Sequence, residues 1–259
     1  MKFLMAWCWP VWLALSAEAG VVPFTMNEIR VEVDESSGAI LRIATPAAGP
    51  VVETTMPRAG LLTLGYPVRA FAPLQLEARY STAVLTRQPD ELTISWDKLG
   101  ASRSVPLPAG QVSAQVRIRA APDGKSIILT CHIDNQSTGQ IYQVCFPDLQ
   151  GVRPFAGEQQ TLVGGQKLFA GPVIPEDRDP KYAMSLWKML GRLRGIELRG
   201  ATAGLAIAQK TWVQSRVPNL MCHRDQADSS WMRLLWRHKT PIDPGQTWDS
   251  GEFWVTRIP

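Results

Sequence analysis

In the stretch IRVEVDESSGAILRI, residues 29–43, Ile29, Val31 and Val33 alternate with Arg30, Glu32 and Asp34. A repeat of two sends successive side chains to opposite faces, as in a strand with one buried face. DESSG then supplies turn chemistry, with Gly38 free to take a positive φ. Ile40, Leu41 and Ile43 resume the apolar pattern, so the stretch predicts a β-hairpin at the start of the mature chain.

Similar runs follow at 92–96, 111–120, 126–133, 140–146, 195–198, 204–209, 231–238 and 251–258, with turn sequences such as PDGK and DNQSTG between them. Many short strands punctuated by Pro and Gly, without a βαβ rhythm, predict one all-β domain over 24–259, an antiparallel β-sandwich with little helix. Two segments resist. In KYAMSLWKML, 181–190, Met184, Trp187 and Leu190 stand at helical spacing, and the run reads as a brief helix or a bent strand. From 147 to 180 the chain is rich in Gly and Pro. A connection that long inside a compact domain is functional or interfacial.

The N-terminus modifies this picture. Lys2 precedes an apolar run over 3–15, and Ala17 and Ala19 offer the small residues that a signal peptidase reads. The pattern predicts a secretory signal over 1–19 cut before Gly20, hence a periplasmic or extracellular protein. Pro10 and a single basic residue thin the signal, and a membrane-anchored N-terminus is the alternative. Beyond the signal no membrane contact is expected. The net charge of +4 is scattered rather than blocked, which argues against a nucleic-acid partner. Cys8 leaves with the signal. Cys131, Cys145 and Cys222 remain without metal-ligand spacing, so no metal or other cofactor is expected. A Cys131–Cys145 bridge is one reading of these thiols, and small buried strand residues are the other.

Three landmarks, IRVEVDESSGAILRI, IDNQSTGQIYQVCFPDLQGV and PIDPGQTWDSGEFWV, together resemble the galactose-mutarotase-like β-supersandwich found at the N-terminus of multidomain glycoside hydrolases. Asn135, the Phe146-Pro147 pair, the Pro244-Gly245 turn and the strand from Glu252 to Val255 carry the resemblance. It implies an antiparallel supersandwich. In multidomain relatives a catalytic (β/α)-barrel follows, whereas this sequence stops at Pro259 directly after GEFWVTRI; a single-domain protein and a fragment of a longer one are both open.

A mutarotase needs a general acid and a general base, typically His with Glu. His132 and His238 fall on predicted strands and His223 in a predicted loop; Glu158, Glu197 and Glu252 are the conceivable partners, but no local motif joins a pair. Convergence of His132 or His238 with a glutamate at the floor of a polar cleft would mark an epimerase. Six tryptophans, Trp187, Trp212, Trp231, Trp236, Trp248 and Trp254, lie in the C-terminal third. Indoles stack on sugar rings, but they also fill cores. Trp231 and Trp236 are five apart on one predicted strand and face opposite ways. Glu176, Asp177 and Asp179 lack calcium-loop spacing and read as a solvated loop. No Gly-x-Ser-x-Gly elbow is present, Gly164-Gly165 is not a phosphate loop, and Asn135-Gln136-Ser137 is a glycosylation sequon only in a host that glycosylates.

These features predict a carbohydrate-associated accessory domain whose partner is a carbohydrate or an adjacent catalytic domain. No catalytic residue is assigned. The expected carbohydrate or interdomain surface is Trp187, Trp231, Trp236, Phe253 and Trp254, with 147–180 and its Phe155, Leu168, Phe169 and Ile174 lining one interface with the last strand. The alternatives are a mutarotase-like aldose epimerase and a purely structural packing domain.

Overall fold

A computed structural model describes residues 20–56, 58–66, 75–102, 107–152, 161–164, 166–170, 187–191, 195–199, 203–211, 218–224 and 232–259. The strands in order are β1 (Val21–Met26), β2 (Ile29–Asp34), β3 (Ile40–Thr45), β4 (Gly49–Glu53), β5 (Thr63–Gly65), β6 (Gln75–Glu77) and β7 (Val84–Gln88). Next come β8 (Glu91–Trp96), β9 (Gly100–Ala101), β10 (Val112–Ala120), β11 (Ser126–Asn135), β12 (Gln143–Val152), β13 (Thr161–Gly164) and β14 (Gln166–Ala170). The chain closes with β15 (Trp187–Gly191), β16 (Gly195–Arg199), β17 (Gly204–Gln209), β18 (Asn219–Arg224), β19 (Met232–His238), β20 (Thr247–Asp249) and β21 (Phe253–Ile258). A 3-10 turn, Ala78–Tyr80, is the sole helical element among the described residues.

The larger sheet runs β1-β2-β3-β4-β12-β19-β18-β15, with β5 on β12 and β6 and β9 continuing from it. The smaller runs β16-β17-β21-β11-β10-β8-β7, with β20 also on β11. All the pairings are antiparallel, as the alternating patterns predict. The antiparallel all-β architecture therefore stands.

The hairpin over 29–43 forms as β2 and β3. The Asp34 carboxylate accepts from the Ser36 hydroxyl (2.6 Å) and the Ser37 amide (2.7 Å), and Gly38 sits at φ 69°. These bonds hold the Asp34 carboxyl below the usual aspartate range, although burial works the other way. The hairpin is not the first element. β1 precedes it through a two-residue turn, with Asn27 and Glu28 both at positive φ. Such turns match the twist of the strands they join.

Between the sheets lies one apolar core. The larger sheet contributes Val31, Val33, Phe146, Leu149, Leu234 and Trp236; the smaller contributes Ile94, Trp96, Val116, Ile118, Ile133, Trp248, Phe253 and Val255. At its aromatic centre Phe253 meets Trp236 edge-on at 5.6 Å and Phe146 at 5.8 Å.

Two expectations are corrected, and one open reading is decided. The Gly/Pro-rich region does not begin at Pro147: β12 continues to Val152, every residue from Val144 onward being buried. Residues 161–164 and 166–170, including Leu168 and Phe169, pair as the β13–β14 hairpin, while Phe155 and Ile174 lie outside the described residues. Over 187–190 the ambiguous segment is strand rather than helix, paired with β18. His223 lies on β18 opposite Arg233, not in a loop. The signal segment 1–19 lies outside the described residues. No helix among them is long and apolar enough to cross a membrane.

Candidate functional site

Two polar constellations stand on the outer faces of the sandwich. The first is on the larger sheet. Register there shifts between Cys145 and Asp148, opposite Arg237 and Leu235. The extra residue reverses the alternation, so Phe146 and Leu149 point into the core while Asp148 points away from it. The cis Phe146–Pro147 peptide lies within this bulge.

Although Asp148 faces away from the core, it is fully buried. Arg233 grips it with Nε at 2.7 Å and Nη2 at 2.5 Å, and the Thr63 hydroxyl donates to it at 2.6 Å. Thr63 lies directly opposite Cys145 on one side and Glu77 on the other, so all three side chains share this face. Glu77 is also buried and is paired with Arg79 at 2.7 Å. Burial raises the Glu77 carboxyl above its ordinary range, and the Arg79 and Arg233 charges oppose that rise. Burial disfavours the charged Arg233, but the Asp148 carboxylate outweighs it and holds the guanidinium firmly protonated. Cys145 is buried in the same layer, and burial with the nearby Asp148 charge pushes its thiol up to about 12. It is an inert thiol, not a nucleophile.

The second constellation is an open cleft of about 570 Å³ on the smaller sheet, lined by Gln115, Arg117, Thr130, His132, Asp249 and Glu252 over a floor of Cys131, Ser250 and Gly251. His132 Nδ1 lies 2.9 Å from Asp249. Glu252 takes Arg119 at 2.6 Å and the Trp254 indole N–H at 3.0 Å. His132 and Glu252 thus share a cleft, but each is engaged by a different partner. His132 is half-exposed and stands at the rim rather than the floor.

The other expected residues fall as follows. His238 is buried; its Nε2 donates to the Phe146 carbonyl at 3.2 Å, and its ring packs edge-on to Trp248 at 5.0 Å. Trp236 and Phe253, expected on a carbohydrate or interdomain surface, are fully buried core residues. Their strands place them on the inner faces, where a large ring fills volume. Trp254, on the outer face, is half-buried with Lys210 Nζ 5.9 Å from its ring centroid. Trp187 starts β15; Trp231, Trp212, Glu158 and the acidic cluster at 176–179 lie outside the described residues. Glu197 is on β16 opposite Ala206. Cys131 and Cys145 are free buried thiols, so no bridge joins them. Asn135 is no open sequon: fully buried, its amide donates to the carbonyls of Gly139 (2.8 Å) and Ile242 (3.0 Å).

Sequence reasoning missed Asp148, Arg233, Thr63 and Glu77. The available signal was the lone acid in FPDLQ and the lone base in MRLL, charges set beside large apolar residues.

No known sequence family and no curated protein matches the chain. Solved structures do. A galactose mutarotase related enzyme of Lactobacillus acidophilus superposes with a TM-score of 0.59 at 10% identity, over 93% of this chain and 98% of that one. The fold is the galactose-mutarotase-like supersandwich. A galactose mutarotase-like protein of Lactobacillus casei gives 0.58 at 9% identity over 92% of this chain and 100% of its own. A GH36 α-galactosidase of Geobacillus stearothermophilus, crystallised with stachyose, gives 0.55 at 9% identity; 92% of this chain spans 40% of that enzyme.

Proposed function

We propose that this mutarotase-like supersandwich is an exported, carbohydrate-associated accessory domain of a glycoside-hydrolase-like protein, using the outer face of its larger sheet. The observation that carries this reading is the buried Asp148–Arg233–Thr63 layer with Glu77 on that face. Charged groups held away from the core yet shielded from water are costly unless fully paired, and such layers cluster at binding sites. Here Asp148 and Arg233 neutralise each other, an arrangement suited to holding a surface rather than to moving protons. The fold likeness to a galactose mutarotase related enzyme and to part of an α-galactosidase supports the carbohydrate class.

The test is calorimetry with galactose, raffinose and stachyose, together with polarimetry of glucose and galactose anomers. Binding without accelerated anomer interconversion is expected, and absence of binding to any of the sugars sinks the accessory reading. A second reading, aldose epimerisation, draws on one observation, that His132 and Glu252 line a common cleft. Acceleration that His132→Ala abolishes would put it first. Export is checked by N-terminal sequencing of the mature protein, which should begin at Gly20.

A further inference from the structure

The cleft on the smaller sheet is a built feature. β11 pairs with β21 over Ser126–Leu129 and with β20 over His132–Asp134, so Thr130 and Cys131 face the bend at 250–252 instead. That bend is pinned from three sides. Ser250 exchanges hydrogen bonds with the Cys131 backbone, its Oγ accepting at 2.9 Å and its amide donating at 2.9 Å. Gln209 donates to the Ser250 carbonyl at 2.8 Å, and the Glu252 amide donates to Thr211 Oγ1 at 2.8 Å. Gly251 has φ 71°, and a Cβ there would stand 2.3 Å from the Thr211 carbonyl, so the floor admits no side chain.

Charge in the cleft is unevenly compensated. Asp249 is engaged by His132, and Glu252 by Arg119 and Trp254. Arg117, directly opposite Thr130, is exposed and donates through Nε to the side-chain amide oxygen Oε1 of Gln115 at 3.0 Å. Among the described residues no carboxylate pairs with it. Its terminal nitrogens thus form a planar fork that matches a carboxylate in bidentate geometry. Thr130, Thr211 and Glu252 line the same cleft, and their hydroxyls and carboxylate are groups that recognise hydroxyls. The volume falls in the range of small-ligand sites.

We propose that this cleft binds a carboxylate-bearing sugar, a uronate, with its carboxylate on the Arg117 guanidinium and its hydroxyls on Thr130, Thr211 and Glu252. The site lies on the sheet opposite the Asp148–Arg233 layer and stands independently of what that layer binds.

The experiment titrates the full chain with galacturonate, glucuronate, galactose and acetate by calorimetry, while NMR follows the His132 ring signals. A uronate should bind and move those signals, with galactose and acetate each at least about tenfold weaker. Arg117→Gln, at an exposed position that leaves the core intact, should erase the preference over galactose. Galactose moving the His132 signals at the concentrations at which the uronates do overturns the specificity, and acetate doing so shows a bare anion site and overturns it too. Uronate binding unchanged by Arg117→Gln, or no uronate binding, ends the proposal.

Discussion

Replacing His238 by Gln separates a structural histidine from a catalytic one. Its ring lies between the sheets against Trp248 and Phe253, and because the Phe146 carbonyl can only accept, Nε2 carries the proton of the neutral ring. Burial lowers its pKa from 6.5 to about 4, against the opposing pull of the Phe146 hydrogen bond. Between these two values the unfolded chain binds a proton that the folded chain refuses. Stability therefore falls as pH drops from 6.5 towards 4. The depression, at about 1.36 kcal/mol for each pK unit, amounts to about 3 kcal/mol. Gln keeps a donor for the Phe146 carbonyl but cannot become charged. Urea unfolding at pH 7 and pH 4 should show that the wild type loses about 3 kcal/mol more than His238→Gln over this interval. Taking the difference matters because other groups titrate in both proteins. Glu77, raised by burial, contributes stability that is lost as pH rises through its folded value. Asp34, depressed by its serine bonds, contributes stability that is lost as pH falls below the ordinary aspartate range. Parallel wild-type and variant profiles from pH 7 to 4 would refute the buried-neutral account and reopen His238 as a candidate acid.

The Asp148–Arg233 pair makes a second prediction: Arg233→Met should destabilise by about 3–5 kcal/mol in urea because it strands a buried carboxylate. Adding Asp148→Leu should restore much of that loss, and failure of the double variant to recover would show that the pair does more than neutralise itself. In peptide mapping after iodoacetamide treatment at pH 8, Cys131 and Cys145 should stay unlabelled in the folded protein and react in urea. Both are buried, with thiol pKa values raised by burial and, respectively, by the Asp249 and Asp148 charges.

How legible the molecule was in its sequence follows from where period-two alternation holds. In β2, β8 and β10 buried and less buried residues alternate almost without a break, and those strands could be read directly. β12 could not. Its residues from Val144 to Val152 are buried on both faces, so alternation vanishes, and its Pro resembles a strand end. The placing of Trp236 and Phe253 on a surface failed for a related reason: composition counts aromatic rings but does not assign faces, and one step in register separates Phe253 in the core from Trp254 outside. The cleft was visible only as separate residues, since His132, Asp249 and Glu252 are brought together by β11 pairing with two strands more than a hundred residues away.

Both polar constellations arise where regular pairing is interrupted. On the smaller sheet the interruption is the bend between β20 and β21, which opens a notch beside Thr130 instead of continuing the ladder. On the larger sheet it is the bulge at Phe146-Pro147. Without that extra residue, strict alternation after Phe146 would turn Asp148 inward, beside Trp236 and Phe253, where no guanidinium could reach it. The cost of an unpaired buried carboxylate far exceeds that of a local ladder defect. A chain that keeps Asp148 in β12 must therefore keep the bulge, and the bulge in turn sets Asp148 within reach of Arg233 and Thr63. The charge and the irregularity are two halves of one feature.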